Sequence, residues 1–331
     1  MSKNTLAETP ALSFESRALL RAYDMMREEW AERFESGGIA ASRAFADAVF
    51  DRFRGPERDL APGQSIDLTV PGGGGERPAR LYKPETTGNA PTPLALFLHG
   101  GGWSLGGIPA YDGLVGSLAA LSGVAILSLD YRLAPEHPFP MGLDDARQAL
   151  DWLHHYGPTI GGDPNRLAVI GDSAGGNLAA VLARKSALGE SPPITCQVLI
   201  YPMTDVASPS ADFPSRARFG DGRFFLIETA IEFARDGYLA GTSVAADDPR
   251  VSPLLAPVPP GLPNALIVTA GHDPLLDEAV AYHERLRAAG IDCIHQSFDD
   301  TIHAFVSFGV LDQAQAARRL VADYLRQRME P

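Results

Sequence analysis

Apolar runs of strand length alternate with helix-length amphipathic segments over most of this 331-residue chain. The apolar runs lie at 94–98, 124–129, 167–170, 197–201, 265–269 and 292–298. The amphipathic segments are clearest at 143–156, 177–188, 276–289 and 310–326. Strands that are apolar on both faces and alternate with helices form parallel sheets with helices on both sides. The sequence therefore predicts an α/β fold with a mostly parallel sheet flanked by helices.

Two further runs, at 66–70 and 79–82, precede this pattern. They lie close together, which predicts an antiparallel pair at one edge of the sheet. The glycine run at 72–75 lies between them and precedes no helix. A hairpin turn is therefore the better interpretation of that run than a phosphate-binding loop.

The first sixty residues have a helical pattern. Apolar residues recur at spacings of three and four from Leu19 to Trp30, with charged residues between them. The Gly37-Gly38 pair interrupts the pattern, and a second helical stretch covers 41–53.

More than sixty residues separate the strand ending at Tyr201 from the strand starting at Ala265. A connection of that length is usually a lid or a binding region. Together with the N-terminal helices it would cover the carboxyl edge of the sheet, where open α/β folds bind ligands. The predicted organisation is N-terminal helices contributing to a cap at 1–60, a catalytic core at 61–202 and 262–331, and a cap insertion at 203–261.

Composition excludes several classes of protein. The formal charge of −13 argues against nonspecific binding to nucleic acid or to anionic lipid, since both need clustered Lys and Arg. No apolar run reaches the ~20 residues that span a bilayer. Residues 1–10 lack the apolar core of a signal peptide, so we expect a cytoplasmic protein. The two cysteines, Cys196 and Cys293, lie in strand-like runs and are predicted to be buried thiols.

The strongest local signal is the segment Gly171-Asp-Ser-Ala-Gly-Gly-Asn177. It follows an apolar strand and opens a helix that we predict to begin near Asn177. A serine on such a sharp strand-to-helix turn has an exposed hydroxyl, and the turn needs small neighbours. Ser173 is therefore the predicted nucleophile.

A second signal, His99-Gly-Gly-Gly-Trp103, comes directly after the 94–98 strand. Backbone N–H groups are the usual partners of the oxyanion that forms during acyl transfer. Consecutive glycines let the backbone approach an acyl carbonyl closely. We predict oxyanion donors from Gly101 and Gly102, with a third from Ala174, and we expect His99 to brace the loop.

A serine nucleophile needs a base, and in this kind of fold the base follows the acid and the serine along the chain. The histidines after Ser173 are four: His272, His283, His295 and His303. His283 falls within a helix and His295 within a strand, so both are expected to be structural. His303 lies in the loop between the last strand and the last helix and is the predicted base.

Asp273 is the predicted acid because it comes just after the 265–269 strand, at the edge where catalytic loops cluster. His272 is plausible as a base by position alone. Competing acids are Asp205, Asp277, Asp299 and Asp300, of which Asp277 falls inside a helix and the last two shape a turn. Asp172, beside the serine, is expected to make hydrogen bonds within the loops.

Taken together, these segments resemble the hormone-sensitive-lipase-like family of α/β-hydrolase esterases, in its Gly-Asp-Ser-Ala-Gly subgroup. The matching motifs are His99-Gly-Gly-Gly-Trp103, Asp130-Tyr-Arg-Leu-Ala-Pro-Glu136, Gly171-Asp-Ser-Ala-Gly-Gly-Asn177, Asp273-Pro-Leu275 and His303-Ala-Phe305. The resemblance implies an eight-stranded sheet, a helical cap, the triad named above, and hydrolysis of short to medium acyl esters without a cofactor or metal ion. It also implies that 130–136 is a loop supporting the oxyanion region, and it suggests a homodimer through the sheet edge and the last helix.

The chain departs from the family pattern beside the predicted base. Ala304 stands where the family often has glycine, and Ile302 stands where it often has methionine. Three other functions remain open at this point: an amidase or an enzyme for acylated sugars or drugs, a small-molecule receptor, and a lipase for long chains. The presence of His303 weighs against the receptor, since relatives that only bind ligands usually lack this histidine.

Overall fold

The computed structural model describes residues 10–55, 65–85 and 90–330. Eight strands form one sheet: β1 (Ser65–Gly72), β2 (Gly75–Tyr82), β3 (Thr92–Leu98), β4 (Ala125–Leu129), β5 (Gly162–Asp172), β6 (Cys196–Ile200), β7 (Asn264–His272) and β8 (Cys293–Ile302). Their order in the sheet is β1-β2-β4-β3-β5-β6-β7-β8. Neighbours from β4 to β8 pair in parallel, whereas β1 and β2 pair antiparallel, and β2 joins β4 antiparallel. The predicted fold class and the antiparallel edge are confirmed.

Nine helices are described in this part of the chain: α1 (Phe14–Glu29), α2 (Ala31–Phe53), α3 (Ile108–Ser122), α4 (Met141–Tyr156), α5 (Ala174–Ala187), α6 (Pro214–Phe219), α7 (Glu228–Tyr238), α8 (Leu276–Ala288) and α9 (Asp312–Arg328). Alternate residues of the central strand β3 point to opposite sides. Leu94, Leu96 and Leu98 pack with the α4, α5 and α8 side, and Ala95 and Phe97 with the α3 and α9 side. Burial on both faces explains why these strands are continuously apolar.

The glycine run between β1 and β2 is the predicted hairpin turn, with Gly72 paired to Gly75. Both cysteines are buried and free, as predicted. None of the helices in the described ranges is long and apolar enough to cross a membrane. Residues 1–9, on which the signal-peptide expectation rests, and the predicted boundary at 60/61 lie outside the described residues.

The N-terminal helices differ from the prediction in one respect. α1 ends at Glu29 and α2 begins at Ala31, so the first helix ends before the glycine pair and not at it. Gly38 then adopts φ 53° and ψ −143°, which interrupts α2 at the predicted place. Gly38 has no side chain to hinder this backbone conformation, which explains why the interruption falls there.

The segment between β6 and β7 carries α6 and α7, and one core residue holds both of its ends. Asn177 of α5 is fully buried, and its side-chain amide donates to the carbonyl of Met203 at 2.9 Å and to the carbonyl of Val251 at 2.8 Å. A second buried link joins α6 to α8, where the Arg216 guanidinium contacts the Glu278 carboxylate at 2.5 Å. Glu278 also accepts from the backbone N–H of Thr204 at 2.6 Å. The insertion is thus fastened to the core at its beginning, middle and end.

We predict that Asn177→Leu lowers the free energy of unfolding by about 2–4 kcal/mol, because it leaves two buried carbonyls without donors. Urea unfolding followed by far-UV circular dichroism measures the change. Asn177→Asp is a second test variant: it keeps the side-chain shape but a carboxylate cannot donate, so it should be at least as destabilising. A loss below about 0.5 kcal/mol, the usual range of neutral substitutions, would contradict this role for Asn177.

Candidate active site

Ser173 is a single-residue turn between β5 and α5. The strand runs on to Asp172 and the helix begins at Ala174, three residues earlier than the sequence predicted. Ser173 therefore adopts φ 52° and ψ −119°, a strained conformation for a residue with a side chain. A Cβ at Gly171 would collide with the carbonyl of Gly175, and one at Gly175 with the carbonyl of Leu98. This contact with the end of β3 explains the small residues on either side of the serine.

The predicted base and acid lie beside this serine. His303 Nε2 is 3.0 Å from Ser173 Oγ, and His303 Nδ1 is 2.7 Å from Asp273 Oδ2. All three residues are buried, with exposed fractions of 6% for Ser173, 5% for His303 and 1% for Asp273. The other carboxylate oxygen of Asp273 accepts from the N–H of Leu275 at 2.8 Å, which fixes its orientation. The three residues form a continuous hydrogen-bonded chain.

The ring of Tyr201 packs against the imidazole of His303. Tyr201 follows β6 directly, and its ring centroid lies 4.7 Å from that of His303. Its backbone has φ 36°, so the chain turns sharply just where the ring meets the imidazole. No sequence pattern indicated this contact, because Tyr201 stands where an apolar strand is predicted to end.

The alternative acids are engaged elsewhere. Asp205 accepts from the N–H groups of Ala207 and Ser208 in a local turn. Asp277 accepts from the N–H of Ser215 at 2.7 Å. Asp299 and Asp300 accept hydrogen bonds from Ser297 and Gln313, respectively.

The alternative bases are also held away from the serine. The ring of His272 packs against Phe219 and Phe224 of the insertion, with ring centroids 5.3 and 5.1 Å away. His283 Nδ1 lies 3.3 Å from Cys293 Sγ. His295 Nε2 lies 2.8 Å from Thr269 Oγ1.

The glycine loop after β3 approaches the same serine. Gly101 and Gly102 have φ of 107° and 59°, conformations that suit glycine. Within the described residues, no protein group accepts from the N–H groups of Gly101, Gly102 or Ala174. These donors are thus free for a ligand, and Ala174 is also the first residue of α5, where the helix dipole favours negative charge.

His99 is buried beneath this loop. Its ring stacks on that of Tyr131 at 4.3 Å, and its Nδ1 lies 2.8 Å from the Gly100 carbonyl. Burial lowers the pKa of His99, which keeps the imidazole neutral. The Tyr131 hydroxyl donates to the His99 carbonyl at 2.7 Å, so the 130–136 segment supports the loop directly.

Arg43 of α2 also contacts this loop, which the sequence did not indicate. Its guanidinium donates to the carbonyl of Ser104 at 2.9 Å and to that of Ala134 at 3.0 Å. It also makes two bonds, of 2.8 and 2.7 Å, to the carboxylate of Glu136. Arg43 lowers the pKa of Glu136 to about 2. The N-terminal helices are therefore tied to the loop that carries the candidate oxyanion donors.

A cavity of about 490 Å³ opens onto Ser173 and His303. Apolar and aromatic side chains dominate its wall: Tyr23, Phe34, Phe45, Val49 and Phe50 from α1 and α2, and Phe225, Leu226, Ile231 and Ala234 from the insertion. The two sources meet where the rings of Tyr23 and Phe225 lie 4.8 Å apart. Ligand pockets of this size and character commonly bind small apolar molecules.

Comparison with known proteins shows which proteins this chain is similar to. A sequence profile described as the alpha/beta hydrolase fold matches residues 95–307. The carboxylic ester hydrolase LipN of Mycobacterium tuberculosis is 42% identical over 284 residues, which cover 84% of this chain and 73% of that protein. An ethyl acetate hydrolase of Pseudomonas putida is 38% identical, over 76% of this chain and 79% of that protein. The crystal structure of an alpha/beta hydrolase enzyme from the metagenome of Lake Arreo, Spain, has a TM-score of 0.87 and 34% identity, covering 96% and 98% of the two chains.

Asp172 joins the serine turn to the glycine loop. It is almost completely buried, and it accepts from the Gly100 N–H at 2.7 Å and from the Tyr111 hydroxyl at 3.3 Å. The sequence predicted such loop hydrogen bonds for this residue. Burial raises its pKa from 3.8 to about 7, even though both hydrogen bonds favour the carboxylate.

This raised pKa makes stability depend on pH. Between pH 4 and 7 the folded state holds a proton that the unfolded state has lost, so the stability present at low pH is lost as the pH rises through 7. We predict that Asp172→Asn gains stability relative to the parent over this window, by up to about 1.4 kcal/mol for each pH unit, and that the difference is constant above it. Urea unfolding at pH 4.5, 6 and 8 measures it. A difference that does not change with pH would contradict the raised pKa.

Proposed function

The chain belongs to the hormone-sensitive-lipase-like family of α/β-hydrolases and is a carboxylic ester hydrolase, and on that premise we propose that it acts through an acyl-enzyme on Ser173. The observation that carries this proposal is the hydrogen-bonded chain from Ser173 through His303 to Asp273. In this arrangement the imidazole can take the hydroxyl proton, and the carboxylate stabilises the imidazolium that forms.

The proposed reaction has two halves. Ser173 Oγ attacks the ester carbonyl while His303 Nε2 takes its proton, and the resulting oxyanion binds to the N–H groups of Gly101, Gly102 and Ala174. The intermediate then breaks its bond to the alkoxy oxygen, which leaves as the alcohol with the proton from His303. In the second half, His303 takes a proton from water, which attacks the acyl carbonyl. Collapse of this second intermediate returns the proton to Ser173 and releases the carboxylic acid.

We propose that the substrates are esters of short to medium acyl chains. The apolar wall of the 490 Å³ cavity favours a hydrocarbon group next to the ester, and the proposed chain length follows the family that the chain resembles. We further propose that the 203–261 insertion and the N-terminal helices act as the cap over this cavity. The contact between the rings of Tyr23 and Phe225, which both line the cavity together with Ser173, supports this proposal. The homodimer and the cytoplasmic location stay predictions.

We predict that the purified protein hydrolyses p-nitrophenyl esters from acetate to about octanoate faster than the palmitate ester. Ser173→Ala should lower kcat by 10⁴-fold or more, on the order of the losses seen when a triad serine is removed. Release of p-nitrophenol measures both. Ser128→Ala is the matched control, because Ser128 is buried in β4, away from the cavity, and its hydroxyl has no partner among the described residues. Wild-type turnover by folded Ser173→Ala would overturn the proposed nucleophile.

A further inference from the structure

Trp103 ends the glycine loop and is held in an unusual backbone conformation. It has φ 55°, and only 1% of its side chain is exposed. Non-glycine residues in this region are strained by about 1–3 kcal/mol, so surrounding contacts must compensate. Trp103 directly follows Gly102, whose N–H is one of the proposed oxyanion donors. The orientation of Trp103 therefore influences where that N–H points.

The Trp103 carbonyl accepts from the N–H of Ala134 at 2.8 Å, and a second compensating contact, on the side chain, comes from the insertion. The indole of Trp103 stacks on the ring of Tyr238, the last residue of α7, with ring centroids 4.1 Å apart and planes 4° apart. Tyr238 is itself fixed, since its carbonyl accepts from the Phe139 N–H at 2.7 Å and the Phe139 ring packs edge-on against it. Stacked aromatic pairs contribute about 0.5–1.5 kcal/mol beyond the area they bury.

α7 also touches the loop one turn earlier. A Cβ placed on Gly102 would lie 2.7 Å from the Cβ of Ala234, so helix and loop are in direct contact at that point. Two consecutive loop residues, Gly102 and Trp103, thus pack against the same helix. The loop thus contacts α7 through Gly102 and Trp103, and it accepts a hydrogen bond from Arg43 at the Ser104 carbonyl.

The polar atoms of the stacked pair take no part in this support. The Tyr238 hydroxyl and Trp103 Nε1 are both buried and have no hydrogen-bond partner in the part of the chain that is described. The flat face of the tyrosine ring is what contacts the indole. A phenylalanine ring at this position would provide the same face.

We propose that Tyr238 is a positioning residue for the esterase reaction, acting through Trp103 to hold the N–H of Gly102 where the oxyanion forms. The inference rests on the proposed oxyanion role of Gly102. On this proposal the insertion does more than cover the cavity. Contact between α7 and the glycine loop also completes the oxyanion site. Removal of one oxyanion donor typically lowers kcat by 10²–10³-fold, so partial misplacement should cost less than that.

The test compares Tyr238→Leu with the matched control Tyr238→Phe. Tyr238→Leu should lower kcat and kcat/KM together by about 10–100-fold, with KM changed by less than about threefold, the pattern of an interaction made only in the transition state. Its inhibition constant for a trifluoromethyl ketone, which forms a tetrahedral adduct, should rise by a similar factor. Tyr238→Phe should stay within about twofold of the parent in all three, because it keeps the ring face.

Several outcomes would overturn the proposal. They are a folded Tyr238→Leu with parental kcat, a loss that leaves the inhibition constant unchanged, and a Tyr238→Phe as impaired as the leucine variant. If Tyr238→Leu does not fold, Tyr238→Met, which fills similar volume without a rigid plane, takes its place. Unfolding of both variants would show a structural role and also overturn the proposal. An inactive parent protein would instead count against the proposed function itself.

Discussion

The close approach of the β5–α5 turn to the end of β3 is the constraint on which the site depends. Gly175 lies against the carbonyl of Leu98, and Gly171 lies against the carbonyl of Gly175, so neither position has room for a side chain. The turn therefore consists of one residue. Ser173 adopts a strained backbone conformation that points its hydroxyl away from the backbone. The same approach brings the glycine loop after β3 beside the serine, and Asp172 bonds the two segments together.

The order of strands supplies the rest. β6, β7 and β8 follow β5 side by side, so the residues after their carboxyl ends meet at one edge of the sheet. Tyr201 after β6 packs on the imidazole, Asp273 after β7 accepts its Nδ1–H, and His303 after β8 reaches the serine. The insertion leaves the sheet between β6 and β7, just above this edge. Its helix α7 packs on the glycine loop, which joins the insertion to the rest of the fold.

Much of the sheet and of the triad could be predicted from the sequence, because the features that specify them lie within short segments of the chain. Strands buried on both faces are apolar throughout, and motifs such as the serine turn need small residues at fixed spacing. The helix Ile108–Ser122 was not among the predicted segments, since residues such as Leu114, Val115 and Leu118 are buried nearly all round it and leave no polar face. The contacts of Arg43 and Tyr238 were also missed. They join segments far apart in the chain, and neither residue type signals its partner.

Covalent labelling is the sharpest test of whether Ser173 is the nucleophile of this ester hydrolase. The protein would be treated with a fluorophosphonate, which reacts with activated serines, and examined by intact-mass and peptide mass spectrometry alongside residual esterase activity. We predict one adduct per chain, on Ser173, with activity lost in proportion to labelling. An adduct on another residue that abolishes activity, or full activity in protein labelled at Ser173, would contradict this prediction.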